Sequence, residues 1–154
     1  MAKNKNSECV NVLDVAKKIL AKTDIIVGDT ISNLKLQKLL YYMQGYHLAF
    51  FDKPLFSDDI VAWCYGPVVP IVYSEYKKYE NGAIDIPINC DKITSLPKEQ
   101  EILFCNVYRE YNQFSAVALM EMTHNEAPWK TTPINKIITK SKLSSFFKTQ
   151  IINE

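Results

Sequence analysis

The sequence is poor in the residues that build phosphate-binding loops, metal centres and nucleophile motifs. It has four glycines among 154 residues, no glycine-rich phosphate loop and no G-x-S-x-G motif. Its four cysteines include no C-x-x-C pair, and each lies in or beside an apolar pattern, so we interpret them as reduced core thiols. We therefore predict a protein without a cofactor or metal and without enzymatic activity.

The chain also lacks a strong net charge and a long apolar run. Its net charge of +1 provides no global attraction to nucleic acid or anionic membranes. Arg109 is its single arginine, which disfavours sequence-specific reading of DNA. The N-terminus has no signal-peptide pattern, and no stretch approaches the roughly 18 apolar residues of a membrane span. We expect a cytoplasmic protein with no membrane partner, built as a polar tail (1–9) and one globular domain (10–154).

Hydrophobic periodicity predicts a mainly α (α+β) fold, a compact helical bundle of about six helices with a small antiparallel β-ribbon. In the long second helix, an apolar stripe runs from Leu36 to Phe50 and includes His47 as a core residue. Tyr41 and Tyr42 lie off this stripe and are either core residues or interface anchors. The predicted helices cover 10–22, a long segment capped by Ser32, a segment from Pro70 to about 80, 97–112, a segment capped by Ser115, and 141–151.

Two segments have strand patterns. "DIVAWCYG", residues 59–66, is predicted as a strand with both faces buried, and "AIDIPINC", residues 83–90, as an edge strand paired with it. Between the first strand and the next helix, Gly66 and Pro67 favour a turn, and Pro70 favours the first helical position. This rigid apolar corner is either a core element or a binding surface that loses little conformational entropy when a partner binds.

Other residues could support chemistry or contacts. His124 and Glu126 form an H-x-E triplet, but the deaminase signature also needs a downstream P-C-x-x-C, and no cysteine follows position 105. A hydrolytic His–Glu pair and a structural turn before Pro128 remain open, with the turn favoured. Trp129 is interpreted as a lid on the core or a contact residue, with the lid favoured.

The C-terminal segment 127–153 is basic, because it contains five lysines and no acidic residue. The pattern indicates a patch for phosphate backbones or an acidic partner, or simply a solvated face, which we favour. It supports an alternative function as a nucleic-acid-binding regulator. The lysines are Lys130, Lys136, Lys140, Lys142 and Lys148.

Three spaced motifs resemble the Panacea family, which includes SocA-like antitoxins and phage-associated GepA-like proteins. They are K-L-Q-K-L-L-Y-Y at 35–42, P-L-F at 54–56 with A-W-x-x-G-P-V-x-P-x-V-Y at 62–73, and T-H-x-E-x-P-W at 123–129. The resemblance covers most of the chain, from about Val10 to Phe147.

The resemblance implies a non-enzymatic antitoxin that neutralises a toxin encoded by an adjacent gene. It does so by direct binding or as an adaptor that delivers the toxin to a ClpXP-type protease. We predict a family-motif loop of His124, Glu126, Pro128 and Trp129. The predicted partner-binding residues are Lys38, Tyr41, Tyr42, Gly45, Tyr65, Gly66, Pro67, Val68, Val69, Pro70 and Tyr73.

Overall fold

The fold is organised around one long helix that is buried along most of its length. A computed structural model describes residues 9–23, 30–87 and 90–152. The predicted mainly helical fold with a small antiparallel sheet is confirmed. The helices are α1 (Val12–Leu20), α2 (Asn33–Phe51), α3 (Pro70–Tyr76), α4 (Lys98–Tyr111), α5 (Ala116–His124), α6 (Ala127–Lys130) and α7 (Lys140–Ile152), the strands are β1 (Ile60–Trp63), β2 (Gly66–Val68) and β3 (Ile137–Ile138), and short 3₁₀ turns cover Lys77–Tyr79 and Cys90–Lys92.

Local chemistry sets both ends of the central helix α2. The Ser32 hydroxyl accepts the Lys35 N–H at 3.2 Å, which confirms the predicted N-cap. The helix ends at Asp52, which has a φ of 55° and donates its N–H to the Leu48 carbonyl. Close to this end Phe50 is exposed, although the sequence pattern places it on the apolar stripe.

Helices α4, α5 and α7 pack around α2. Lys38, Tyr41 and Tyr42 are fully buried, and Gly45 packs against the Phe147 ring. These predicted partner-binding residues are therefore not at the surface, because β2 covers Lys38 and Phe147 of α7 contacts Tyr41, Tyr42 and Gly45. Their side chains lie behind the surface instead.

The sheet has the strand order β2-β1-β3, with both pairs antiparallel. The prediction that residues 83–90 pair with β1 is wrong for the described part of that segment. Ala83 forms a single bridge with Ser32, and Ile84 donates its N–H to Ile31. Residues 135–138 lie along the edge of β1 where residues 83–90 were predicted to pair. The Ala62 N–H donates to the Lys136 carbonyl, and the Ala62 carbonyl accepts the Asn135 N–H. Residues 88–89 lie outside the described residues.

The hairpin between β1 and β2 differs from its prediction in two respects. The strand ends at Trp63, and the chain reverses through Cys64 and Tyr65, so Gly66 and Pro67 lie in β2 rather than in the turn. Gly66 has a φ of 108°, a conformation that permits this reversal and favours glycine. Cys64 is exposed at the turn, so its interpretation as a core thiol is wrong.

Only one face of the sheet is covered by the core. Ile60, Ala62 and Ile138 point inward and are buried, whereas Val61 and Trp63 on the opposite face are half-buried. The prediction that both strand faces are buried is therefore wrong. Among the residues that the structure describes, the outer apolar face of the sheet is only partly covered.

The remaining helices mostly begin where the sequence predicts. Pro70 opens α3, and the Ser115 hydroxyl accepts the Ala118 N–H at 3.0 Å to cap α5. Helix α6 was not predicted, because its segment was interpreted as a loop. Residues 1–8 of the predicted tail lie outside the described residues, and in the part that is described no helix is long and apolar enough to cross a membrane.

Candidate functional site

Polar side chains of α2 fix the corner between β2 and α3 from inside the protein. Gln37 Oε1 accepts the Val69 N–H at 2.9 Å, and Lys38 Nζ donates to the Pro67 carbonyl at 3.2 Å. Gly66 lies directly over the lysine, because an added Cβ would meet Lys38 Cε at 2.5 Å. Burial lowers the pKa of Lys38 to about 7. The K-L-Q-K segment therefore holds the G-P-V-V-P corner in place.

The two tyrosines of α2 hold the loop that follows α5. Tyr41 donates its hydroxyl to Glu126 Oε1 at 2.9 Å, and Tyr42 donates to Oε2 at 2.8 Å. Burial raises the pKa of Glu126 to about 7, although both hydrogen bonds favour its charged form. Burial and the adjacent carboxylate raise the pKa of both tyrosines. The Y-Y pair and the glutamate of the family-motif loop are thus one buried hydrogen-bonded group.

An aromatic cluster surrounds this group. The Tyr42 ring stacks on Tyr111 with a centroid distance of 3.9 Å, and the hydroxyls of Tyr111 and Tyr46 hydrogen-bond at 2.8 Å. Phe147 of α7 makes edge contacts with Tyr41 and Tyr42. The cluster shields the Glu126 bonds from part of the solvent, which strengthens them and makes an unpaired hydroxyl costly.

The same loop also holds the hairpin. Trp129 Nε1 donates to the Trp63 carbonyl at 2.8 Å, and His124 Nε2 donates to the Cys64 carbonyl at 3.1 Å. The rings of His124 and Trp129 stack with a centroid distance of 4.1 Å. Because His124 and Glu126 bind different parts of the protein, their geometry gives a hydrolytic pair no support. Among the residues that the structure describes, no group of His, Cys, Asp and Glu is placed to hold a metal ion.

Hydrogen bonds therefore link parts of all three motifs to one another. Residues 35–42 hold the corner at 66–70 and the loop at 123–129, and that loop holds the hairpin at 63–64. The sequence spacing gives no sign of these pairings, which join segments far apart along the chain. The motif residues support a neighbouring surface from behind.

That surface contains a groove of about 620 Å³ between the hairpin and the N-terminal ends of α2 and α5. Trp63 and Tyr73 form one wall with an edge-to-face contact of 5.1 Å. Tyr65 is 69% exposed, Tyr73 39% and Val117 56%. The charged residues that line the groove are Lys77 and Glu80. We define the groove together with the outer sheet face as the open face.

The predicted partner-binding residues divide between this face and the layer behind it. Tyr65 and Tyr73 are exposed on the open face, and Pro70 is half-buried. Val117 belongs to the face but was missed, although it lies off the buried stripe of α5 and is apolar. Val68 is buried but lines the groove, and the residues that are buried behind the face are Lys38, Tyr41, Tyr42, Gly45, Gly66, Pro67 and Val69.

The basic C-terminal segment is partly engaged within the protein. Lys140 contacts Asp59 at 3.6 Å, and Lys148 contacts Asp52 at 2.8 Å. Lys142 donates to the Thr131 carbonyl at 3.0 Å. Three of the five lysines thus have intramolecular partners, which weakens the case for a continuous phosphate-binding patch.

Comparisons with known proteins agree with the motif pattern. The family profile described as "Antitoxin SocA-like, Panacea domain" matches residues 36–130. The chain is 37% identical over 109 residues to a protein named "Antitoxin SocA" from Caulobacter vibrioides (strain NA1000 / CB15N). The alignment covers 64% of this chain and 58% of that relative's length. No solved structure matches the chain significantly.

Proposed function

Because the chain belongs to the Antitoxin SocA-like, Panacea domain family, we propose that it is an antitoxin that binds a toxin protein encoded by an adjacent gene. The open face is the proposed contact surface. In this proposal the chain neutralises its partner by physical association, and its own residues perform no chemical step.

The observation that carries the proposal is the apolar surface beside the corner, which the described residues leave partly exposed. A sheet face with apolar side chains is normally covered by another layer, and an exposed apolar patch of this kind marks an interaction site. Tyr65, Tyr73 and Val117 are large, exposed and close to a groove. Aromatic residues beside a groove are typical interface anchors.

The support behind this face favours tight association. Hydrogen bonds from Gln37 and Lys38 fix the corner, and those from His124 and Trp129 fix the hairpin. A surface that is already ordered loses less conformational entropy when a partner binds. The rigid corner therefore serves both the fold and the proposed contact.

Direct binding is the step that both modes of neutralisation share. An inhibitor and an adaptor that delivers the toxin to a ClpXP-type protease must each bind the toxin first. The two modes differ in the lifetime of the toxin, which stays long with an inhibitor and becomes short with an adaptor. Measuring toxin half-life with and without this protein separates them.

The first test is co-expression of the tagged protein with the product of its adjacent gene. We expect relief of growth arrest and recovery of both proteins in one complex. Rescue with loss of the toxin indicates proteolytic delivery. Neither rescue nor a complex would overturn the proposal, and retention on DNA or RNA at low salt would then favour the nucleic-acid-binding regulator.

A further inference from the structure

We propose that Glu126 is a positioning residue for the hairpin tip, which we define as residues 63–66. In this proposal its two bonds to α2 set the position of the loop whose side chains hold the tip. The effect on toxin binding rests on the proposed function, whereas the positioning of the tip can be measured on the protein alone.

The orientation of the Glu126 side chain is the first argument. Glu126 is the N-cap residue of α6, a position from which a side chain usually bonds the helix's own N–H groups, but it makes no such bond. Both carboxylate oxygens instead accept hydroxyls from Tyr41 and Tyr42 on α2. The side chain therefore joins the start of α6 to the central helix.

The position of Glu126 in its loop is the second argument. It lies between His124 and Trp129, the two residues that donate to the carbonyls of Cys64 and Trp63 at the tip. A shift of Glu126 away from α2 would move the end of α5, which carries His124, and the start of α6, which carries Trp129. The tip carries Tyr65, the most exposed of the large hydrophobic side chains in the described part of the chain.

The far end of α6 is attached separately. Lys142 of α7 donates to the Thr131 carbonyl and the Thr132 hydroxyl, each at 3.0 Å, and Thr132 donates to the Pro128 carbonyl at 2.7 Å. These bonds do not involve Glu126. Loss of the Glu126 bonds would therefore release the start of the loop and the tip while the other end of α6 stays attached.

A purely structural role for Glu126 makes a different prediction. In that case it only satisfies two buried hydroxyls, and removing the hydroxyls together with the carboxylate should restore a normal protein. The triple variant Tyr41→Phe, Tyr42→Phe, Glu126→Leu removes all three polar groups at once. No buried hydroxyl of this group is then left unpaired, but the two hydrogen bonds from Glu126 to α2 are gone.

The test measures hydrogen exchange of the Trp129 indole N–H and of the tip amides by NMR on the full chain. We expect the triple variant to keep its fold while these protons exchange faster by about tenfold or more. The matched control is Tyr46→Phe with Tyr111→Phe, which removes a hydroxyl pair from the same cluster without touching Glu126. If the tip protons of the triple variant exchanged at the same rates as in the wild type, the proposal would be overturned.

Two further measurements keep the test decisive. If the triple variant unfolds, the single variants Tyr41→Phe and Tyr42→Phe each remove one bond, and unchanged tip exchange in both would also overturn the proposal. Where the wild type binds the adjacent gene product, the triple variant should bind more weakly than the control. Failure of the wild type to bind counts against the proposed function, while the exchange rates still decide the role of Glu126.

Discussion

The Tyr42 hydroxyl donates a 2.8 Å hydrogen bond to Glu126, a residue 84 positions further along the chain. With the parallel bond from Tyr41, it connects the central helix to the loop that holds the hairpin. The bonds lie in an aromatic cluster, so the protonation of the carboxyl group is sensitive to folding. This relationship leads to a prediction for the pH dependence of stability.

Glu126 should stabilise the fold less as pH rises through the acidic range. Burial raises its pKa in the folded state to about 7 from an ordinary value of 4.5. The folded state therefore binds the proton more tightly, and the contribution is complete below about pH 4.5 and lost as pH approaches about 7. The loss is on the order of 3 kcal/mol.

Urea unfolding of the wild type and Glu126→Gln at several pH values measures this contribution. The free energy of unfolding of the wild type, relative to the variant, should fall between about pH 5 and pH 7. Parallel pH profiles for the two proteins would show that the carboxyl group titrates normally in the fold.

Lys38 should give the opposite slope in a more alkaline range. Burial lowers its pKa in the folded state to about 7 from 10.5, so the folded state releases the proton that the unfolded chain retains. Its contribution to stability is complete above about pH 10.5 and lost as pH falls to about 7. Between about pH 7.5 and 9.5 the wild type should gain about 2 kcal/mol relative to Lys38→Met. An equal gain in both proteins would contradict the prediction.

Gly66→Ala should destabilise the protein strongly. Its φ of 108° strains any residue with a side chain, and the new Cβ would lie 2.5 Å from Lys38 Cε. We expect a loss of about 2 kcal/mol or more in the free energy of unfolding. Gly82→Ala is the matched control, since its closest Cβ contact is 3.3 Å. Comparable losses of unfolding free energy in both variants would show that a Cβ at position 66 fits above Lys38 without extra cost.

Val117→Glu should weaken binding of the adjacent gene product without unfolding the protein. Val117 is 56% exposed beside the groove, and a buried charge at an interface without a partner is costly. We expect a loss of affinity of about tenfold or more, measured by titration calorimetry. Ile102→Glu is the control, because Ile102 is 52% exposed on α4 and does not line the groove. Equal affinity in the two variants would remove the open face as the contact site.

The local features of the fold could be predicted because they depend on neighbouring residues. Ser32 and Ser115 cap helices as expected, and Pro70 opens α3. Strand β3 was missed because its two residues, Ile137–Ile138, are too few to show an alternating pattern. Because they occupy the edge of β1, residues 83–87 of the more strand-like segment lie elsewhere, where Ala83 pairs with Ser32.

The sequence identified the segments that form the site, but it did not show which of their residues contact one another. Tyr41 and Tyr42 lie off the apolar stripe of α2, and helical periodicity alone cannot show that Phe147, far along the chain, covers them. The pairing of Lys38 with Pro67, and of Trp129 with Trp63, is likewise long-range. Such contacts depend on the tertiary arrangement, so the sequence indicated which segments matter but assigned several of their residues to the surface.

The order in which the ribosome makes these segments has a consequence for the timing of activity. The hairpin is synthesised early, but the residues that hold its tip, His124 and Trp129, come about sixty positions later. Contacts between such distant segments form late in folding. A nascent chain therefore carries Tyr65 well before its surroundings are ordered, and the proposed contact surface is complete only after residue 129 has left the ribosome.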